Sequence, residues 1–205
     1  MMSSGPRPSA LTGTPPASGA VLRDARPSDA PFLAECIMAG MHFTDFDKCM
    51  TDDMSLILKR LTLCEERPDT LYTYARTRVA ELAGQPAGAL LSYPGELYKG
   101  LKESTFKEFW PTFFEEFAHD DPETEAGEYY LDSLAVLPAF RRQGIGRALL
   151  EDGIRIGRGL GYDRIALVAD SDYPHLIRLY ESVGFVPAGR RHAFGTDFLR
   201  MIFGK

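Results

Sequence analysis

The run Arg141-Arg142-Gln143-Gly144-Ile145-Gly146-Arg147 has the residue types and spacing to do chemistry. It follows an apolar segment, Leu134-Ala135-Val136-Leu137-Pro138. It leads into Ala148-Leu149-Leu150, which with Ile145 and Ile156 forms a helical face. A strand that passes through a glycine-bearing loop into a helix leaves the first helical N–H groups without carbonyl partners. The helix dipole makes that end attractive to an anion. Gly144 and Gly146 allow close backbone approach, and Arg141, Arg142 and Arg147 add positive charge. The chemistry predicted is the binding of a phosphate or pyrophosphate. A GxxxxGK[ST] loop is absent. A dinucleotide fingerprint would need a third glycine where Leu149 stands, although Asp170 after the next strand resembles a ribose-binding acid. A nicotinamide cofactor is therefore a minor alternative.

Other reactive side chains give weaker patterns. Cys36, Cys49 and Cys64 are odd in number and form no CxxC, which argues against a disulfide framework and against zinc. Cys36 and Cys64 fit helix cores. His42, His119, His175 and His192 have no ligand spacing, so no metal is expected. Asp120, Asp121, Glu123, Glu125 and Glu128 form an acidic run that would suit the approach of a cationic substrate.

The elements that position these residues read as alternating strands and helices. Residues 1–20 are almost entirely Pro, Gly, Ser, Thr and Ala and are expected to form a flexible tail. The folded domain is expected over 21–205. Val21–Ala25 reads as a strand, Pro27 opens a helix, and a second helix runs from about Asp52 to Glu66. Thr77–Leu82 and Ala87–Tyr93 form a hairpin around Ala83-Gly84-Gln85. A helical insertion is expected over 94–128. Within it Phe106, Phe109, Trp110, Phe113, Phe114 and Phe117 recur at i, i+3, i+4, i+7, i+8 and i+11, an aromatic stripe broken by Pro111. Buried core, a lid over the substrate and a homodimer interface are three readings of that stripe. Tyr129–Leu137 and Arg164–Ala169 are buried strands, Gly144–Arg158 and Pro174–Ser182 are helices, and Val183–Arg190 and Asp197–Phe203 close the fold.

Two of these segments, in this order, resemble the GNAT superfamily of N-acetyltransferases. Arg141-Arg142-Gln143-Gly144-Ile145-Gly146 matches its R/Q-x-x-G-x-G/A loop, and Leu179-Tyr180-Glu181-Ser182-Val183-Gly184-Phe185 is similar to its LYExxGF segment. The resemblance implies an α/β (α+β) fold, with a mixed, largely antiparallel sheet splayed between two central strands and helices on both faces. It implies acetyl-coenzyme A as cosubstrate, lying in the splay between Tyr129–Leu137 and Arg164–Ala169. Leu134, Ala135 and Val136 would meet the pantetheine arm. Arg141, Arg142, Gln143, Gly144, Ile145, Gly146 and Arg147 would surround the pyrophosphate. Tyr173 stands where many relatives have an Asn near the pantetheine, and Leu176 where they have an Ala.

The resemblance also implies direct acetyl transfer to a primary amine, with Tyr180 as the general acid that protonates the departing thiolate. Asp132 is the first candidate for the base; by strand alternation Tyr130, Asp132, Leu134 and Val136 share a face unless a bulge intervenes. Glu128 is the second candidate and Glu96 the third. A non-catalytic acyl-coenzyme A sensor or interaction protein is the alternative function.

Bulk composition is consistent with this. The 205 residues are 44% hydrophobic and 25% charged, which excludes a mostly disordered chain, and suit one domain. The formal net charge of −6 argues against nucleic acid as a partner. Without a membrane-length apolar run or a basic-apolar leader, the expected setting is cytoplasmic, with no membrane partner.

Overall fold

The computed structural model describes residues 19–40, 54–116 and 120–204. Cys49, His42, Phe117 and His119 lie outside them. Seven strands form one sheet: β1 (Val21–Asp24), β2 (Thr77–Leu82), β3 (Gln85–Pro94), β4 (Glu128–Val136), β5 (Arg164–Asp170), β6 (Phe185–Ala193) and β7 (Thr196–Phe203). Their order across the sheet is β1-β2-β3-β4-β5-β7-β6. Every neighbouring pair is antiparallel except β4–β5.

That exception creates the site. The parallel pairing joins only Glu128–Tyr130 to Arg164–Ala166. β4 then continues along β3 to Val136, and β5 along β7 to Asp170, so the two strands part. The edge of β4 that faces β5 loses its ladder partner beyond Tyr130. Its N–H and C=O groups there must bond to something else, because buried backbone groups are rarely left unpaired.

Helices cover both faces. α1 (Ala30–Gly40), α2 (Met54–Glu65), α3 (Tyr98–Phe109) and α4 (Pro111–Glu116) share one face, where Tyr72, Tyr93, Phe106, Trp110 and Tyr130 are buried together. α5 (Ile145–Gly159) and α6 (Pro174–Val183) share the other, with Leu90, Tyr129, Leu131, Leu149 and Ile165. α5 lies very close to the sheet. A Cβ on Gly157 would fall 2.5 Å from Ile165 Cδ1 and 2.7 Å from Tyr129 Cδ1. No side chain fits there, which is why a residue that weakens helices is tolerated in this one.

The aromatic stripe is core on the described residues. Pro111 interrupts it as expected, ending α3 at Phe109 and beginning α4. Phe106 packs on Trp110 at 5.6 Å and on Phe113 at 5.4 Å between ring centres. Phe113 in turn stacks on Phe194, in the β6–β7 turn, at 5.7 Å and 13°. The insertion thus braces a residue that reaches the cleft. No helix among the described residues is long and apolar enough to cross a membrane.

β4 departs from simple alternation. Leu90 pairs with Leu134 but Ser92 with Leu131, so three steps on β4 oppose two on β3. The extra residue is a bulge at Asp132–Ser133. Before it, Tyr129 and Leu131 face α5 and Tyr130 faces the other way; after it, Leu134 and Val136 pack on the α5 side. Tyr130 and Asp132 therefore do not share a face with Leu134 and Val136, and the unbroken alternation is corrected.

Candidate active site

A cavity of about 1040 Å³ opens where β4 and β5 part. This is at the upper end of the range for a small-molecule site. Its outer end is the loop after β4. Arg142 takes φ of +61° and Gly144, which caps α5, takes +79°. Ala148 N–H bonds the Gly144 carbonyl at 3.0 Å, the first rung of the helix. The N–H groups of Ile145, Gly146 and Arg147 precede that rung and have no helical acceptor. The loop is a ready anion cradle with arginines around it. Arg141 braces it by donating Nε–H to the Val136 carbonyl at 3.0 Å. Arg147 donates to the Ser182 hydroxyl at 2.8 Å and so ties α5 to α6.

Of the expected cofactor residues, Leu134, Ala135, Val136, Arg141, Arg142, Gly144, Ile145, Gly146, Arg147 and Tyr173 line this cavity. Gln143 does not; its amide reaches the Ala139 carbonyl at 3.5 Å. Ile145 is only 1% exposed and belongs to the core, so its contribution is backbone. Tyr173 precedes the first turn of α6 and sets its ring edge-on to His175 at 6.0 Å. Leu176 lines the cavity and packs on the core, so the larger side chain is accommodated in the wall.

The inner end is acidic and aromatic. Asp132, turned by the bulge toward the α1–α4 side, accepts Tyr93 O–H at 2.6 Å and Ser133 O–H at 3.0 Å. Burial raises its pKa above the ordinary carboxylate range, and the two hydroxyl donors oppose that rise. Glu123 lines the same cavity and accepts Tyr98 O–H at 2.9 Å. Burial, then the nearby Asp132 charge, push its pKa up to about 7. Tyr72 and Tyr130 complete this end. Tyr180 of α6 lies on the wall of the cavity, with its ring edge-on to Phe185 at 6.4 Å. Burial pushes its pKa up to about 12, so the phenol keeps its proton at neutral pH.

Two expected bases lie elsewhere. Glu128 is fully buried at the start of β4, where it pairs with Arg164 at 2.9 Å and with buried Arg200. It also accepts from Thr124 Oγ1 and Glu125 N–H, at 3.2 and 3.1 Å. It does not line the cavity and has no room for a substrate proton, so it is corrected to a structural residue. Glu128→Gln would leave the Arg200 charge buried without its partner. The expected result is a loss of about 3–5 kcal/mol in stability by denaturant titration, with turnover per folded molecule largely retained. Glu96 accepts Tyr162 O–H at 2.5 Å, also away from the cavity.

Of the acids between Asp120 and Glu128, Glu123 is the one that lines the cavity. The signal was the acidic run itself, but most of that run is engaged in structure. Asp120 accepts Phe194 N–H at 2.6 Å, Asp121 accepts His192 N–H at 3.1 Å, and Glu125 pairs with Arg191 at 2.5 Å. Cys36 and Cys64 lie in the helix cores expected of them. Cys36 and Cys64 are free and buried, and burial pushes the Cys36 thiol up to about 12 and the Cys64 thiol higher. No metal-binding group of His, Cys, Asp and Glu occurs among the described residues.

Comparison with known proteins follows the same outline. The model of the acetyltransferase (GNAT) family matches residues 44–185. A mycothiol acetyltransferase from Beutenbergia cavernae is 32% identical over 74 residues, which are 36% of this chain and 24% of that protein. The chain thus spans about a quarter of that relative's length. Among solved structures, an acetyltransferase at 25% identity aligns with a TM-score of 0.70 over 89% of this chain and 97% of its own. An N-acetyltransferase from Staphylococcus aureus Mu50 aligns with a TM-score of 0.75 at 21% identity, over 89% of this chain and 100% of its own. An acetyltransferase-like protein from Salmonella typhimurium, solved with acetyl-CoA, aligns with a TM-score of 0.56 at 21% identity, over 89% and 92%.

Proposed function

The chain belongs to the acetyltransferase (GNAT) family, whose cosubstrate is acetyl-coenzyme A, and from that premise we propose that it acetylates a primary amine by direct transfer in the β4–β5 cleft. One observation carries this reading: the unpaired edge of β4, the anion cradle at the start of α5, Tyr180 and Asp132 all open onto a single cavity. When bound, acetyl-coenzyme A supplies an activated acyl group as a thioester. The N–H groups of the 142–147 loop, with Arg142 beside them, hold the pyrophosphate. The free edge of β4 around Leu134–Val136 pairs with the amide-bearing arm in the manner of an added strand. We read the domain as beginning at Ala20, which the sequence placed in the tail but which is buried in the core, with 94–128 as its helical insertion.

Asp132 takes a proton from the acceptor ammonium. Its raised pKa brings it nearer to that of an amine, which favours the transfer. Tyr180 donates a hydrogen bond to the sulfur as charge develops there. A phenol near 12 holds its proton more tightly than a thiolate whose thiol titrates near ~8.5 would take it. The contribution of Tyr180 is therefore stabilisation of the thiolate at the moment of bond breaking, with the final proton coming through solvent. The cleft holds both reactants together, which supplies the proximity advantage.

Direct transfer is tested by initial rates of thiol release with both substrates varied. Intersecting double-reciprocal lines are expected, because both substrates must be present together. Parallel lines would signal a covalent acyl-enzyme and contradict the reading.

A further inference from the structure

Most of the buried and half-buried carboxyls of this protein are satisfied in one of two ways. Outside the cavity arginines do it: Asp29 pairs with Arg23 at 2.7 Å, Asp152 with Arg78 at 2.7 Å, and Glu128 with Arg164 and Arg200. Two acids are exceptions: half-buried Asp120 accepts Phe194 N–H, and Glu65 is fully buried with both oxygens unbonded, its pKa pushed up to about 8 chiefly by burial, and does not line the cavity. Of the three acids that line the cavity, Asp170 accepts Asp172 N–H at 2.8 Å, whereas Asp132 and Glu123 receive tyrosine and serine hydroxyls, and none forms a salt bridge among the described residues. Lys102 on α3 is near enough for its charge to oppose the rise in the Glu123 pKa, but it forms no ion pair with Glu123; its ammonium lies over the Phe194 ring at 4.7 Å and the Tyr98 ring at 5.6 Å.

Two carboxyls that share one cavity without an arginine repel one another when both are ionised, and one of them holds a proton near neutrality. A ligand with a single positive charge relieves that repulsion for one carboxyl only. A ligand with two relieves it for both. The neighbours of the pair, Tyr72 and Tyr130, offer aromatic walls of the kind that suit a short alkyl chain between two ammonium groups.

We propose that Glu123 is the acceptor-specificity residue of this site: it holds one ammonium of a diamine while Asp132 takes the proton from the other, so the acceptor class is an aliphatic diamine or polyamine. This rests on the acetyltransferase reading of the cleft. The step balances. The reacting ammonium gives one proton to Asp132, its nitrogen bonds to the acyl carbon, and the carbon–sulfur bond breaks as that nitrogen loses its second proton to water, leaving a neutral amide. The thiolate leaves hydrogen-bonded to Tyr180 and is protonated from solvent. The second ammonium is unchanged, and the product is a mono-acetylated monocation.

The test uses the full chain, acetyl-coenzyme A and three matched acceptors: 1,4-diaminobutane, n-butylamine and 4-aminobutyrate, with thiol release as the readout. The expected kcat/KM for the diamine exceeds that for butylamine by at least ~10-fold, the size of one desolvated charge pair, and exceeds that for 4-aminobutyrate by more. Glu123→Gln is expected to collapse the diamine-to-butylamine ratio at least ~10-fold, while Glu123→Asp retains most of it. Unchanged calorimetric affinity for acetyl-coenzyme A shows that each variant is folded. Equal or better use of butylamine, a ratio unmoved by Glu123→Gln, or no turnover of any diamine overturns the proposal. If acetyl-coenzyme A still binds and other amines still turn over, the acetyltransferase reading survives that result; if neither occurs, both fail.

Discussion

Tyr180→Phe is expected to lower kcat by about 10²–10³-fold while changing the affinity for acetyl-coenzyme A less than about twofold. The ring is buried on the cavity wall and packs edge-on against Phe185, and phenylalanine keeps both contacts. Only the hydroxyl is lost. If that hydroxyl serves the developing thiolate, its absence is felt in the transition state and not in the bound ground state. Steady-state kinetics paired with calorimetry make the separation. Parallel loss of turnover and affinity would assign Tyr180 to packing, and an unchanged kcat would remove it from the mechanism.

Asp132→Asn is expected to reduce kcat/KM by about 10²–10⁴-fold and to change the shape of its pH profile. Asp132 accepts from Tyr93 and Ser133, and its charge acts on Glu123, Glu65, Tyr72, Tyr98 and Tyr130, with Lys102 acting on Glu123. A base works only when deprotonated. Because burial raises the proton affinity of Asp132, activity in the wild type should fall on the acid side at a higher pH than an ordinary carboxylate would give. The asparagine accepts the Tyr93 hydrogen bond but takes no proton, so the limb due to Asp132 disappears. It also removes the charge that helps hold Glu123 at about 7, and the Glu123 pKa should move down. A pH–rate profile of the variant that keeps the wild-type limb would exclude Asp132 as the base.

The parts of the site that were legible in the sequence are the local ones. The proposed phosphate cradle is a contiguous strand, loop and helix start, and the spacing of Gly144, Gly146, Ile145 and Leu149 already marks it. Pro111 announced the break between α3 and α4 because a proline ring affects its own backbone. The acceptor end was less legible because it depends on pairing across the sheet. The bulge at Asp132–Ser133 appears only in the register against β3, and it decides which face Asp132 takes.

Likewise, five acids between Asp120 and Glu128 look equivalent in a loop with no periodicity. Glu128 is claimed by Arg200 from β7, 72 residues away, and Asp121 by the backbone of β6, 71 residues away. Glu123 reaches the cavity because those long-range bonds hold the loop around it. The aromatic stripe gave a helix correctly, but its role as core rests on Tyr72 and Phe194, far from it in sequence.

The central claim is that the parted strands hold acetyl-coenzyme A with its pyrophosphate at the 142–147 loop. The direct measurement is a calorimetric titration of the full chain with acetyl-coenzyme A and, separately, with S-acetylpantetheine, which lacks the nucleotide and pyrophosphate. The account predicts one-to-one micromolar binding of acetyl-coenzyme A and at least ~10-fold weaker binding of S-acetylpantetheine, through loss of the charge-assisted contacts at the cradle. Failure to bind acetyl-coenzyme A, or equal affinity for the two ligands, would contradict it.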